Sequence, residues 1–168
     1  MEIKALLLNL DTNTHILLEL MLSFSPPEFP EKPEPETWSA AQIADHIIMI
    51  EMFVNKVYGS SSREADRAGD QKVKVMHDAL LNSEKRFKAP DFVLPSPSGR
   101  LQAQAVKEFT EQRAAVRSHI ENTDSSLLYP NFKHPMLGEM SVWEWGWFSV
   151  FHTERHIRQM QKLLPKIK

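Results

Sequence analysis

The 168-residue chain contains no cysteine. That excludes disulfides, thiolate nucleophiles and every cysteine-ligated metal centre, and leaves histidine and carboxylate as its strong ligand types. Glycine is scarce at 5 residues, and most of the 11 prolines lie in short stretches between periodic segments. This pattern argues against a turn-rich sheet protein and for helices joined by stiff connectors. No charge of one sign dominates: the formal net charge is -2 with histidine neutral, and acidic and basic residues alternate along every segment. A cationic field able to hold a phosphate backbone is therefore missing, and no nucleic-acid partner is expected. Long hydrophobic runs are missing too. The opening "MEIKALLLNLDTNTHILLELML" is broken by Asp11, Asn13 and His15 and lacks a basic start, so neither a signal peptide nor a membrane span is expected and a cytoplasmic location follows. Repeats, coiled-coil heptads and low-complexity tracts are also absent.

What is present, 42% hydrophobic and 25% charged residues, suits a single globular domain over residues 1–168. Apolar residues at helical period run through Ile3, Leu6, Leu7, Leu10, Ile16, Leu17, Leu20 and Met21, predicting a first helix over about 2–22. The proline-rich "SFSPPEFPEKPEPE" ends it. Ser39 with Gln42 makes a capping-box pattern that opens a second helix, expected to run to about Tyr58 before Gly59. A shorter helix is expected over about 71–88 on Val73, Met76, Leu80, Leu81 and Phe87. After the stiff "APDFVLPSPSG", Leu101, Ala105, Val106, Phe109, Val116 and Ile120 predict another. The stretch "DSSLLYPNFKHPMLGEM" reads as a loop. Ser141 with Glu144 repeats the capping box and opens a last helix expected to reach about Leu164, before Pro165. The sum is an all-α four-helix bundle with long crossover loops and one additional short helix.

Within the last helix, His152 and His156 stand four residues apart, one turn along the same face. They share a stripe with Trp145, Phe148, Ser149, Gln159 and Leu163 that should point inward, where an unpaired polar ring costs a few kcal/mol or titrates low. His46 is placed likewise in the apolar stripe of the second helix, between Ile43 and Ile50. Three inward histidines on two helices suit a catalytic-type divalent-metal site that keeps a position open. Spacing equally admits the alternative, buried imidazoles hydrogen-bonded to a carboxylate or a carbonyl.

Three stretches, "TWSAAQIADHI", "HPMLGEMSVWEW" and "FHTERHIRQM", resemble the DinB-like superfamily of metal-binding four-helix bundles, and the resemblance extends over essentially the whole chain. In that family three histidines hold a divalent ion, commonly zinc or nickel. The resemblance places those roles on His46, His152 and His156. Characterised members include S-transferases and isomerases that use low-molecular-weight thiols such as bacillithiol or mycothiol, and others are classed as metal-dependent hydrolases. The resemblance thus implies a metal-dependent enzyme that activates a thiol or water for transfer to, or hydrolysis of, a small substrate. The competing expectation is a non-catalytic metal-binding or stress-associated scaffold.

The remaining residues carry lesser expectations. Glu154 points about 160–200° away from the paired histidines by helical rotation and is expected to be a solvated or helix-packing carboxylate rather than a general base. No HExxH motif supplies a peptidase base, and the rotation of Glu51 relative to His46 argues against direct catalysis by it. His15 is a candidate to line the site, His134 to lie over the bundle mouth, and His77 and His119 to be exposed or partly buried. Arg155 and Arg158 are candidates to bind a substrate carboxylate, against placement near a helix C-terminus. Trp38 should pack as a staple-like anchor against Ile43 or a neighbouring helix. Trp143 and Trp147, one turn apart and off the Trp145 face, suggest an exposed pair that would serve a homodimer, against cover by the short third helix or the "LLYPNF" stretch.

Overall fold

A computed structural model describes residues 3–82 and 89–167. Its elements are α1 (Ile3–Leu22), α2 (Ala40–Tyr58), α3 (Val73–Leu81), a 3-10 turn (Asp91–Val93), α4 (Gln102–Asn122), β1 (Leu128–His134), β2 (Gly138–Ser141), α5 (Val142–Gln161) and α6 (Leu164–Ile167). The four long helices are the expected ones, and both capping boxes form. The expected 71–88 helix is present over Val73–Leu81, while residues 83–88, including Phe87, lie outside the described residues.

In the bundle, α1 and α2 each pack against both α4 and α5. Direction follows from side-chain contacts. Tyr58 at the end of α2 reaches the Val142 carbonyl at the start of α5, so these two helices are antiparallel. Gln102 at the start of α4 reaches the Met21 and Phe24 carbonyls at the end of α1, so this pair is antiparallel as well. Tyr58 also stacks on His119 in the last turn of α4, so α2 and α4 run the same way, and joining two parallel neighbours requires a long return across the bundle. Residues 59–101 supply it. Gly99 turns this crossover onto α2 with φ +66; a Cβ there would stand 2.4 Å from the Ala41 carbonyl carbon. Only glycine fits that approach.

The stretch read as a loop is instead an antiparallel hairpin, pairing Leu128 with Ser141 and His134 with Gly138 across an irregularity. Pro130 and Pro135 mask it in the sequence, because proline within a run argues against a strand. The final helix also ends earlier than expected, at Gln161. Pro165 lacks an amide hydrogen and its ring would clash with the carbonyl four residues back, so the chain turns and restarts as the short α6.

The aromatic pair expected at the surface is not there. Trp147 is buried at 6% exposure, stacked on Phe151 at 5.1 Å, in one cluster with Val73 and Met76 of α3, and Trp143 packs half-buried against that cluster. Helix α3 lies on α5 and covers the face that the spacing left open.

Two apolar clusters fill the bundle. One contains Leu6, Leu10, Val54, Val116 and Trp145. The other contains Leu17, Ile43, Ile47, Phe109 and Met160. Between them in each helix sits a buried polar residue: Asn13, Glu51, Arg113, and Ser149 with Thr153. Among the described residues no helix is long and apolar enough to cross a membrane.

Candidate metal centre

Each histidine is placed by an anchored helix start. The Ser39 hydroxyl accepts the Gln42 amide and the Gln42 side chain accepts the Ser39 amide, both at 3.2 Å, so α2 begins at Ala40 and carries His46 into its second turn. Ser141 and Glu144 do the same at 3.0 Å for α5, which carries His152 and His156 on its third and fourth turns.

The three rings converge. His46 Nε2 lies 3.1 Å from His152 Nε2, which lies 3.2 Å from His156 Nε2. All three residues are buried, at 3%, 8% and 7% exposure. With metal–nitrogen distances of about 2.0–2.1 Å, two nitrogens on one ion stand roughly 2.9 Å apart at a right angle and roughly 3.3 Å apart at the tetrahedral angle. The observed spacings fall between these values.

Hydrogen bonds settle which nitrogen faces the centre. His46 Nδ1 donates to the Val93 carbonyl at 2.7 Å, and His156 Nδ1 donates to Gln159 Oε1 at 2.9 Å. Both Nε2 atoms are therefore lone-pair acceptors. A proton on His152 Nε2 can serve one neighbour at a time, so protons alone leave a buried acceptor facing an acceptor. A cation at the centre satisfies all three, and the donor set fits a divalent metal. Burial drives the titration the same way. It lowers the His46 pKa, only partly opposed by the Val93 hydrogen bond. His152 is pushed well below the ordinary range by desolvation and then by its histidine neighbours. His156 is pushed down to about 3, again first by desolvation. The rings are neutral at pH 7, the form that ligates.

The crossover makes the Val93 contact possible. Ser96 donates its backbone and hydroxyl to Asp45 Oδ2 at 2.9 and 3.1 Å, Gln42 Nε2 donates to the Ser96 and Pro97 carbonyls, and Arg100 pairs with Asp45 at 2.8 Å. These bonds strap residues 93–100 to α2 beside His46. Trp38 covers the site from the other side, its ring 5.1 Å from His46 and stacked at 6.4 Å on His156. It thus anchors on the neighbouring helix α5 through His156 as well as on the cluster that contains Ile43.

The other candidates lie elsewhere. His15 is exposed and paired with Glu19, away from the site. His77 lies against Phe151 beside Asp78, and His119 against Tyr58 and Tyr129, each partly buried as expected. His134 ends β1 and packs on Phe148, which in turn faces His152. Glu154 pairs with Arg158 on the outer surface of α5, as its rotation implies. Arg155 donates to the Leu80 carbonyl near the end of α3, a helix-terminus contact made to a neighbouring helix. Sequence reasoning missed the Val93 carbonyl and the pairing of Glu51 with Arg113. The signal for the latter was available: Arg113 stands in the apolar stripe of α4, four residues after Phe109 and three before Val116.

A family model described as the DinB superfamily matches residues 9–160. The chain is 27% identical over 144 residues to the Uncharacterized protein YuaE of Bacillus subtilis (strain 168), covering 82% of this chain and 83% of that protein. Its fold is similar to the crystal structure of TT2238, a four-helix bundle protein, with a TM-score of 0.61 at 16% identity, covering 96% of this chain and 99% of that one.

Proposed function

Because the chain belongs to the DinB superfamily and aims three histidine Nε2 atoms at one buried point, we propose that it is a metal-dependent enzyme acting on a small molecule, with His46, His152 and His156 as ligands to zinc or nickel. The observation that carries this reading is the convergence itself, with the Nδ1 protons of His46 and His156 already committed to Val93 and Gln159. When bound, the ion supplies Lewis acidity, which lowers the pKa of a thiol or water and makes it a nucleophile at neutral pH. A thiol gives S-transfer with a low-molecular-weight thiol as cosubstrate; water gives hydrolysis. The chain's residues set the conditions for either. Val93 and Gln159 hold two rings in the ligating tautomer, Trp38 and Phe148 shield the centre from bulk water, and the strapped crossover fixes the His46 ring. Among the described residues only these three histidines group as ligands, which favours a site with an open position over a closed structural one.

The test is elemental analysis of protein purified without a histidine tag or added metal, beside His46→Ala and His152→Ala. About one equivalent in the parent and none in either variant is expected. A parent that stays metal-free even after incubation with zinc overturns the reading. A loaded parent inactive in screens of both thiol transfer and ester or amide hydrolysis would favour the scaffold alternative.

A further inference from the structure

The polar layer across the middle of the bundle does more than fill space between two apolar clusters. Arg113 and Glu51 form an ion pair at 3.1 Å, with side chains 3% and 0% exposed. The same guanidinium donates to Thr153 Oγ1 at 2.5 Å and to Asn13 Oδ1 at 3.3 Å. The Ser149 hydroxyl donates to Glu51, and the Asn13 amide donates to the Val150 carbonyl at 3.0 Å. All four long helices are joined. Three of the contacts land on α5 at residues 149, 150 and 153, on either side of His152, while Glu51 stands five residues beyond His46 on α2.

Such an arrangement is costly if its purpose is stability alone. A buried ion pair contributes little net stability over an apolar pair of similar volume, and its best-attested use is to fix register. This one is also incompletely satisfied: Glu51 Oε2 and Arg113 Nε have no hydrogen-bond partner among the described residues. An apolar layer would let α5 slide or rotate on α2 with little penalty, whereas directional bonds on both sides of His152 do not.

We infer that Glu51, Arg113, Ser149 and Thr153 are positioning residues for the metal centre, a polar latch that sets the register of α5 against α2 and thereby the spacing of the three Nε2 atoms. The inference rests on the three-histidine metal reading above. It separates two quantities that a purely structural role would move together. Losing the latch lowers metal affinity while leaving the apo fold about as stable, because apolar replacement of a buried pair is often neutral.

Two double variants test it. Glu51→Leu/Arg113→Met removes the ion pair, and Ser149→Ala/Thr153→Val keeps the pair but removes its hold on α5. Zinc affinity is measured by competition with a chromophoric chelator, cobalt(II) spectra report ligand geometry, and thermal unfolding of the apo proteins reports the fold. Expected are a cooperative apo transition, near the parent's in the first variant and lower in the second because its buried ion pair loses two hydrogen-bond partners, together with a drop in zinc affinity of about tenfold or more and a changed cobalt visible spectrum in both, in line with losses on altering residues that orient metal ligands. If the first variant does not fold, the second decides. Folded variants with the parent's affinity and cobalt spectrum overturn the latch alone. A parent that takes up no metal overturns the metal reading and the latch with it.

Discussion

Gln159 bears on the proposed metal ligand His156 through the ring nitrogen that faces away from the histidine cluster. Its Oε1 accepts the His156 Nδ1 proton at 2.9 Å, and that bond decides that Nε2 carries the lone pair facing His152. Replacing it with methionine keeps the volume and removes the acceptor. Gln159→Met is expected to weaken zinc binding about tenfold or more while leaving apo thermal unfolding close to the parent's, measured by chelator competition and circular dichroism. Unchanged affinity would mean that the His156 ring is held by packing against Trp38 instead. At this scale the three clustered histidines were legible because histidines at i and i+4, and one in an apolar stripe, are conspicuous by type and position. Their partners were less so: Val93 acts through its backbone carbonyl and stands 47 positions after His46 in the chain. No side-chain pattern announces that.

The two capping boxes show the same motif working in different surroundings. At Ser39 the hydroxyl makes only the box bond, while the Gln42 side chain that completes the box also donates to the Ser96 and Pro97 carbonyls. At Ser141 the hydroxyl also donates to the Gly69 carbonyl at 2.5 Å, and the Glu144 carboxylate also receives both Arg67 nitrogens at 2.6–2.7 Å and the Lys72 amide. The second box therefore joins the start of α5 to the crossover that leads into α3. Ser39→Ala should cost about 1 kcal/mol, as cap removals do, and Ser141→Ala about 2 kcal/mol because the Gly69 carbonyl also loses its partner. Urea unfolding of the two variants makes the comparison; equal costs would mean that the Gly69 contact contributes nothing. Periodicity and caps exposed the helices in sequence since each is a local property. The hairpin was hidden because Pro130 lies within β1, Pro135 lies in the turn and the pairing is irregular, and the cover over Trp147 because it depends on where α3 docks.

At the scale of the whole molecule, the four long helices and most of their inward faces could be read from the chain, but the order of packing could not, since parallel α2 and α4 follow from a crossover whose path is fixed by contacts such as Asp45 with Ser96 and Arg100. One global property follows from that packing. Burial lowers the pKa of five histidines, His46, His119, His134, His152 and His156, desolvation being the largest cause in each. In the unfolded chain these rings take up protons near pH 6.5. Between that value and their lower folded-state values, reaching about 3 for His156, the unfolded state binds more protons than the folded one. Stability is therefore fully present above about pH 6.5 and declines as pH falls through this window. Thermal unfolding of chelator-treated protein from pH 8 to pH 5 isolates the effect, because ordinary carboxylates take up protons mostly below that range. The transition temperature should hold steady down to about pH 7 and then drop. In His46→Gln/His156→Gln the drop should be shallower, since two of the groups that resist protonation are gone. A transition temperature that stays level to pH 5 in the parent would mean that the histidine cluster opens to solvent without metal, and that the ion is needed to close it.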